Sequence, residues 1–284
     1  VIYSEATTRL EVALLSDRGQ TRALNEDCGL ALSLPSGGLF AVADGMGGHN
    51  AGDVASTMAV SGLQETYLQL NGPTPQRLVR SLEQVNTRLH QEAHKPERRG
   101  MGTTLTAVVV DDGAAIIANI GDSRAYLLRG GKLTHLTRDH SWVAEQQRLG
   151  LLTEQEARVH RWRNVISNAL GSAALLRLDL TGLRLEAGDQ LLLCSDGLSG
   201  VLEDDRICEL MKLAPSAQGA VVTLVAEANR LGGPDNITAL LVKVQAVGRL
   251  PAYPLPQLIG DGPQPSVKLL APLRRRPWDR LFRF

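Results

Sequence analysis

Short apolar runs alternate along this chain with longer amphipathic stretches, and glycine, proline and aspartate mark the boundaries between them. Residues 10–15 and 38–43 are compact apolar runs closed by turn residues, the pattern of buried strands. Residues 105–110 and 114–120 are separated only by Asp111-Asp112-Gly113. Residues 125–128 and 133–136 are separated only by Arg129-Gly130-Gly131-Lys132. Each pair predicts a tight hairpin. Residues 190–194 and 237–244 predict two more buried strands. Hairpins pair strands antiparallel, so the pattern points to an α+β protein rather than a regular βαβ winding.

Between the strands the period lengthens to that of a helix. Residues 50–70 carry Val54, Met58, Leu63 and Tyr67. Residues 75–94 place Leu78, Val79, Leu82, Val85 and Leu89 on one face, with Pro75 suited to a first turn. Residues 142–149, 154–159 and 221–230 predict shorter helices. Thr153 and Glu156 have capping-box spacing, and the last of these helices stops before Gly232-Gly233-Pro234. No repeat of solenoid length is present. The pattern fades near Ala246. From Leu250 onward prolines fall at positions 251, 254, 256, 263, 265, 272 and 277, and no periodicity survives. The expected organisation is a folded domain over 1–246 and a Pro/Arg-rich tail or linker over 247–284.

Composition narrows the function. The chain has 284 residues, 43% of them hydrophobic and 21% charged, ample for a globular core. Thirty basic and thirty acidic residues cancel, which argues against a surface that coats nucleic acid. Aromatics at 4% leave little for base stacking. Cys28, Cys194 and Cys208 are odd in number and widely spaced, as expected for reduced thiols in a cytoplasmic setting. The start, Val1-Ile2-Tyr3-Ser4-Glu5-Ala6, lacks the basic and apolar stretches of a signal peptide. No uncharged apolar run approaches membrane-spanning length.

Chemistry enters with four aspartates in glycine-rich turns. Asp44 lies in Ala43-Asp44-Gly45-Met46-Gly47-Gly48, Asp122 in Ile120-Gly121-Asp122-Ser123, Asp196 in Cys194-Ser195-Asp196-Gly197, and Asp235 in Gly232-Gly233-Pro234-Asp235-Asn236. A lone Asp-Gly is ordinary turn chemistry. Four of them at the ends of apolar strands predict carboxylates converging on one small volume. Like charges there repel unless cations intervene, and carboxylate oxygens suit Mg²⁺ or Mn²⁺. Glycine lets a backbone carbonyl join such a site. Glu26 and Asp27 add carboxylates, and Arg22 offers a guanidinium for a phosphate. The bland reading of 17–27 is a solvated charged loop. His49, just past the Asp44 turn, is either a surface residue or a proton donor to a leaving alcohol. No cysteine has an arginine six residues later, and Gly-x-x-x-x-Gly-Lys, His-Glu-x-x-His and Gly-x-Ser-x-Gly are missing. Gly45-Met46-Gly47 nearly opens a dinucleotide fingerprint, but Asn50 stands at the third glycine position.

In this order the motifs resemble the metal-dependent protein phosphatases, the PPM or type-2C serine/threonine phosphatases, in their compact bacterial form. The resemblance spans roughly residues 10–245. It rests on Asp17-x-Gly19, Arg22, Asn25-Glu26-Asp27, the Asp44 segment, Met101-Gly102-Thr103-Thr104 and Asn119-Ile120-Gly121-Asp122-Ser123-Arg124. It continues through Asn164-Val165-Ile166, Ala169-Leu170-Gly171, Leu193-Cys194-Ser195-Asp196-Gly197-Leu198 and Gly233-Pro234-Asp235-Asn236-Ile237-Thr238.

The resemblance implies a four-layer αββα sandwich, two antiparallel sheets flanked by helices, with a small flap subdomain at about 141–168. It implies that Asp44 bridges two Mn²⁺ or Mg²⁺ ions, that the Gly45 carbonyl completes one site, and that Asp196 and Asp235 hold the other. Asp122 with Asp196 would supply a third, Glu26 and Asp27 would sit at the cluster through water, and Arg22 would bind phosphate. Animal members carry a histidine where this chain has Met46, so the proton donor is either His49 or a water. The implied reaction is hydrolysis of phosphoserine and phosphothreonine by an activated water. Its expected partners are phosphorylated proteins, a serine/threonine kinase or that kinase's substrates among them. A monomer is expected, and no nucleic acid partner. The alternatives are a non-catalytic phosphoprotein-binding relative and a hydrolase of another phosphoester, such as a nuclease. In the tail, Arg274, Arg275, Arg276, Arg280 and Arg283 are interleaved with Trp278, Leu281, Phe282 and Phe284. It reads as a docking motif for a partner or an anionic membrane surface, or as a solvated polar end.

Overall fold

The computed structural model describes residues 7–47 and 51–257. The chain opens with β1 (Arg9–Asp17), β2 (Asp27–Leu34) and β3 (Gly37–Met46), then α1 (Gly52–Gln69) and α2 (Thr74–Glu92). A second run of strands follows: β4 (Gly102–Thr103), β5 (Leu105–Asp111), β6 (Ala114–Ile120), β7 (Arg124–Arg129) and β8 (Lys132–His135). Next come α3 (Trp142–Arg148), α4 (Glu154–Val159), β9 (Asp179–Arg184) and β10 (Gln190–Cys194). The last elements are α5 (Asp196–Ser199), α6 (Asp204–Leu213), α7 (Ala217–Arg230) and β11 (Ile237–Ala246).

One sheet has the order β1-β11-β10-β7-β8, the other β2-β3-β5-β6-β9 with β4 added to β3. Every pairing between these strands is antiparallel. The reason the central strands read as unbroken apolar runs is that both faces are covered. In β3, Leu39, Ala41 and Ala43 pack under α1 and α2, while Phe40 and Val42 face the other sheet. In β10, Leu191 and Leu193 face between the sheets, while Leu192 and Cys194 pack under α5, α6 and α7. Three apolar layers result, one between the sheets and one beneath each set of helices, so the αββα sandwich is present. No helix among the described residues is long and apolar enough to cross a membrane.

The structure departs from the sequence reading at several places. β2, β9, α5 and α6 were not anticipated. β2 and β9 are edge strands interrupted by Gly29 and Gly182, although Cys28, Leu30, Leu32 and Leu34 do alternate onto the helix-covered face. The buried stripe of α1 runs through Ala55, Ala59, Leu63 and Tyr67, with Val54 and Met58 at its margin, because small residues let the helix approach the sheet. Helix α7 begins at Ala217, capped by the Ser216 hydroxyl, which accepts from the Gly219 N–H. The Thr153–Glu156 capping box forms as expected.

The segment after β11 is no free tail at its start. Gly113 N–H donates to the Arg249 carbonyl, and Gly182 N–H donates to that of Pro256. Tyr253 and Leu255 pack on the core beneath α2, and the Tyr253 hydroxyl donates to Asp111 Oδ2 at 2.7 Å. Proline hides this strap from periodicity analysis, because extended Pro-rich chain can cover a sheet edge without alternating. The Arg- and aromatic-rich stretch from Arg274 to Phe284 lies outside the described residues.

Candidate active site

Strand register assembles the acidic residues at one end of the sandwich. Asp27 opens β2 directly across from Asp44 in β3. Cys194, two residues before Asp196, pairs with both Arg124 of β7 and Ala239 of β11. That register brings the Asp122 turn, the start of α5 and the Asp235 loop side by side. Asp17 ends β1 opposite Ile237, so the loop carrying Arg22 and Glu26 leaves at the same end.

Backbone closeness explains the glycines. A Cβ on Gly45 would lie 2.0 Å from the Gly52 carbonyl oxygen and 2.8 Å from that of Glu26, so only glycine lets β3 pass between them. Gly45 N–H donates to the Glu26 carbonyl at 3.1 Å, and Asp44 N–H donates to Thr104 Oγ1 at 2.9 Å. Asn236 ties the loops: its Oδ1 accepts from Glu26 N–H at 2.8 Å, and its Nδ2 donates to the carbonyls of Arg18 and Leu24.

Asp27 is held on one side only. Ser195 Oγ and Thr238 Oγ1 both donate to its Oδ2 at 2.7 Å. Its Oδ1 is buried without a hydrogen-bond partner, as is Asp196 Oδ1. Other atoms of both residues keep some solvent exposure, so it is these oxygens that are shut away. Burial pushes the Asp27 carboxyl up to about 7. Its two hydroxyl donors pull against that, while Asp196 and Asp235 add repulsion. Burial also raises Asp44 well above the carboxylate range, reinforced by Asp27, Asp196 and Asp122. Asp122 is raised by burial, then by Asp196 and Asp139, and Asp196 by burial, then by Asp235. Glu26 is raised chiefly by burial. Arg22 Nη2 sits 2.7 Å from Asp235 Oδ2. Burial pulls its guanidinium down, but Asp235, Glu26 and Asp44 together raise it.

Asp27, Asp44, Asp122, Asp196, Asp235, Glu26 and Arg22 therefore act on one another electrostatically, and Gly45 lies among them. His49 lies outside the described residues. Among the described residues no group of three or more His, Cys, Asp or Glu side chains is arranged to hold a single ion. Hard oxygen ligands, two of them orphaned and buried, nevertheless fit divalent cations of the Mg²⁺ and Mn²⁺ type.

Sequence reasoning missed the supports. Ser195, Asn236 and Thr238 stand within the motifs named above with no role attached, and nothing in them says that they hold Asp27 and Glu26. Arg124 was quoted within a motif without a role. It grips Asp139 through Nε and Nη2 and reaches the Tyr126 hydroxyl, behind Asp122. Beside Asp122 and Asp196 a cavity of about 570 Å³ opens toward α3 and α4, with Arg138, Arg148, Arg163 and Asn164 in its wall. Ser141 bridges Ile166 at the base of this flap.

Comparisons with known proteins agree with the fold. The protein phosphatase 2C family model matches residues 18–231. Protein phosphatase PhpP of Streptococcus pneumoniae serotype 2 is 38% identical over 240 residues, covering 83% of this chain and 98% of that protein. The serine/threonine phosphatase PstP/Ppp of Mycobacterium tuberculosis superposes with a TM-score of 0.77 at 38% identity, covering 83% of this chain and 99% of that one. A PstP catalytic domain in complex with two manganese ions superposes at 0.76 with 37% identity, covering 84% and 99%. This chain belongs to the protein phosphatase 2C family.

Proposed function

We propose that this chain hydrolyses phosphoserine and phosphothreonine in proteins, reversing a serine/threonine kinase. Asp44, the Gly45 carbonyl, Asp196 and Asp235 would hold two divalent cations, with Asp122 and Asp196 offering a third position and Glu26 and Asp27 bordering the cluster. The two manganese ions in the PstP catalytic domain support that stoichiometry. When bound, such cations supply positive charge to the phosphoryl oxygens and acidify the water that attacks phosphorus.

The chain's own groups do the rest. Arg22, half exposed at the rim beside Asp235, can swing one face of its guanidinium onto the phosphoryl oxygens, where charge builds as the ester breaks. Ser195 and Thr238 fix Asp27 through one oxygen, leaving the other unpaired in a carboxyl group that feels the charges of Asp196 and Asp235. Thr104 and Asn236 lock the backbone on either side of Asp44 and Glu26. His49 is the proposed proton donor to the departing alcohol, and loss of the alkaline limb of the rate profile in His49→Gln tests it.

The observation that carries the reading is the pair of orphaned buried carboxylate oxygens on Asp27 and Asp196, in a cluster whose Asp235 is in contact with Arg22. The test compares release of phosphate from a phosphothreonine peptide with cleavage of an oligonucleotide, each with Mn²⁺ and with EDTA. Mn²⁺-dependent turnover of the peptide alone is expected. Turnover of the oligonucleotide, or of neither, overturns the proposal.

A further inference from the structure

His140 stands where the flap joins the body, and it touches both. Its backbone N–H donates to the Gly121 carbonyl at 2.9 Å, and the Gly121 N–H donates back to Nδ1 of the ring at 3.2 Å. Asn168, at the far end of the flap, brings Nδ2 to 3.0 Å from the same ring nitrogen and also donates to the Arg177 carbonyl. Ser167 N–H donates to the His140 carbonyl at 2.8 Å. On the other side of the ring, Nε2 lies 3.3 Å from Oδ2 of Asp179, the first residue of β9. No well-aligned hydrogen bond is made there, so this is a close polar approach between the ring and the carboxylate.

The tautomer follows from the partners. A backbone N–H can only donate, so Nδ1 is the accepting nitrogen and the ring hydrogen sits on Nε2, toward Asp179. One imidazole, 14% exposed, thus joins both ends of the flap, the β9 edge and the turn that presents Asp122. That turn is pinned from the opposite side as well. Gly121 has φ +102°, and a Cβ there would lie 2.6 Å from Thr104 Cβ. Thr104 and Ser123 share a hydrogen bond at 2.7 Å. Thr104 therefore fixes one face of the turn and His140 the other.

We propose that His140 is a positioning residue that makes the flap and the Asp122 turn move as one body, so that seating of a phosphoprotein against the flap is felt at the carboxylate cluster. This rests on the proposed phosphatase reading for its last clause only, since the mechanical link is a property of the chain itself.

Two substitutions separate the halves of the link. Asn at this position places an oxygen near the site of Nδ1 and keeps an acceptor for Gly121. Gln reaches toward Asp179 instead and leaves the Gly121 N–H without its acceptor. The full chain and its His140→Asn and His140→Gln variants are compared by amide hydrogen exchange, Mn²⁺ titration calorimetry and kinetics on a phosphothreonine peptide and on p-nitrophenyl phosphate. Thermal midpoints check folding. In His140→Gln, exchange should rise together in segments 119–124 and 141–168. Mn²⁺ affinity should fall about 10-fold, and KM should rise for the peptide more than for p-nitrophenyl phosphate. His140→Asn should keep the exchange protection and the Mn²⁺ affinity. The proposal is overturned if the flap loosens while 119–124 stays protected, if Asn and Gln behave alike, or if Mn²⁺ affinity is unchanged in Gln. Failure of the wild-type chain to turn over the peptide would instead defeat the phosphatase reading, leaving the exchange result to decide the link.

Discussion

Replacing Asp27 by Asn in the EDTA-treated protein should make stability less dependent on pH. In the unfolded chain Asp27 titrates near 3.8, and burial in the folded protein moves it to about 7. The folded state therefore keeps a proton that the unfolded state has lost. Stability contributed below pH 3.8 is lost as pH rises through about 7. At 1.36 kcal/mol per pH unit the whole interval is worth on the order of 4 kcal/mol, and more than half of that falls between pH 5 and 7.5. For a domain of this size that corresponds to roughly 5–10 °C in thermal midpoint. Asp44, Asp122, Asp196 and Glu26 are raised in the same direction and titrate in both proteins, with Asp44 eased in the variant because Asp27 no longer repels it. Two groups outside the cluster also need separating. Glu227, held down to about 2 by hydrogen bonds from Arg230 and Arg206, titrates below this window. His135, pushed down by burial, works in the opposite direction below pH 6.5, but it does so equally in both proteins. The readout is therefore the difference between wild type and Asp27→Asn. Asn keeps an acceptor for Ser195 and Thr238. Wild type should lose stability relative to the variant as pH rises from 5 to 7.5, and Mn²⁺ should remove the difference. Parallel curves would refute the claim that Asp27 is buried among like charges.

Arg22→Ala should lower kcat/KM for a phosphothreonine peptide about 100-fold, the size expected for one charge-stabilising donor, with little change in thermal midpoint; initial-rate kinetics check it. Truncation after Ala246 should cost about 3 kcal/mol in urea unfolding, because Tyr253 and Leu255 leave the core and Asp111 loses its phenol partner. Truncation after Gln257 should leave both unfolding and peptide hydrolysis unchanged, and that pair of results would move the boundary expected at 246 to beyond the strap. Gly45→Ala should abolish peptide hydrolysis and lower the thermal midpoint, since backbone rather than a yielding side chain meets the new methyl group.

What could be read from the sequence follows from where each signal is stored. The Asp44, Asp122, Asp196 and Asp235 turns are legible because glycine placement is local. The central strands are legible because burial on both faces makes them apolar throughout. Edge strands β2 and β9 were not, since each carries an interior glycine where another segment packs close: Leu14 against Gly29, Pro256 against Gly182. The supports of the site are long-range. Asp27 meets Ser195 across 168 positions and Thr238 across 211, and no pattern within a window records such a pairing. The same holds for His140 and Gly121, whose contact depends on how the flap returns to the sheet.

The central claim is that these distant carboxylates share divalent cations, and it is tested most directly by titrating Mn²⁺ into the EDTA-stripped wild-type protein and its Asp44→Ala and Asp196→Ala variants while following phosphate release from a phosphothreonine peptide. The account predicts saturable rescue of the wild type and near-complete loss in both variants. Full activity in EDTA, or rescue of either variant to the wild-type rate, would contradict it.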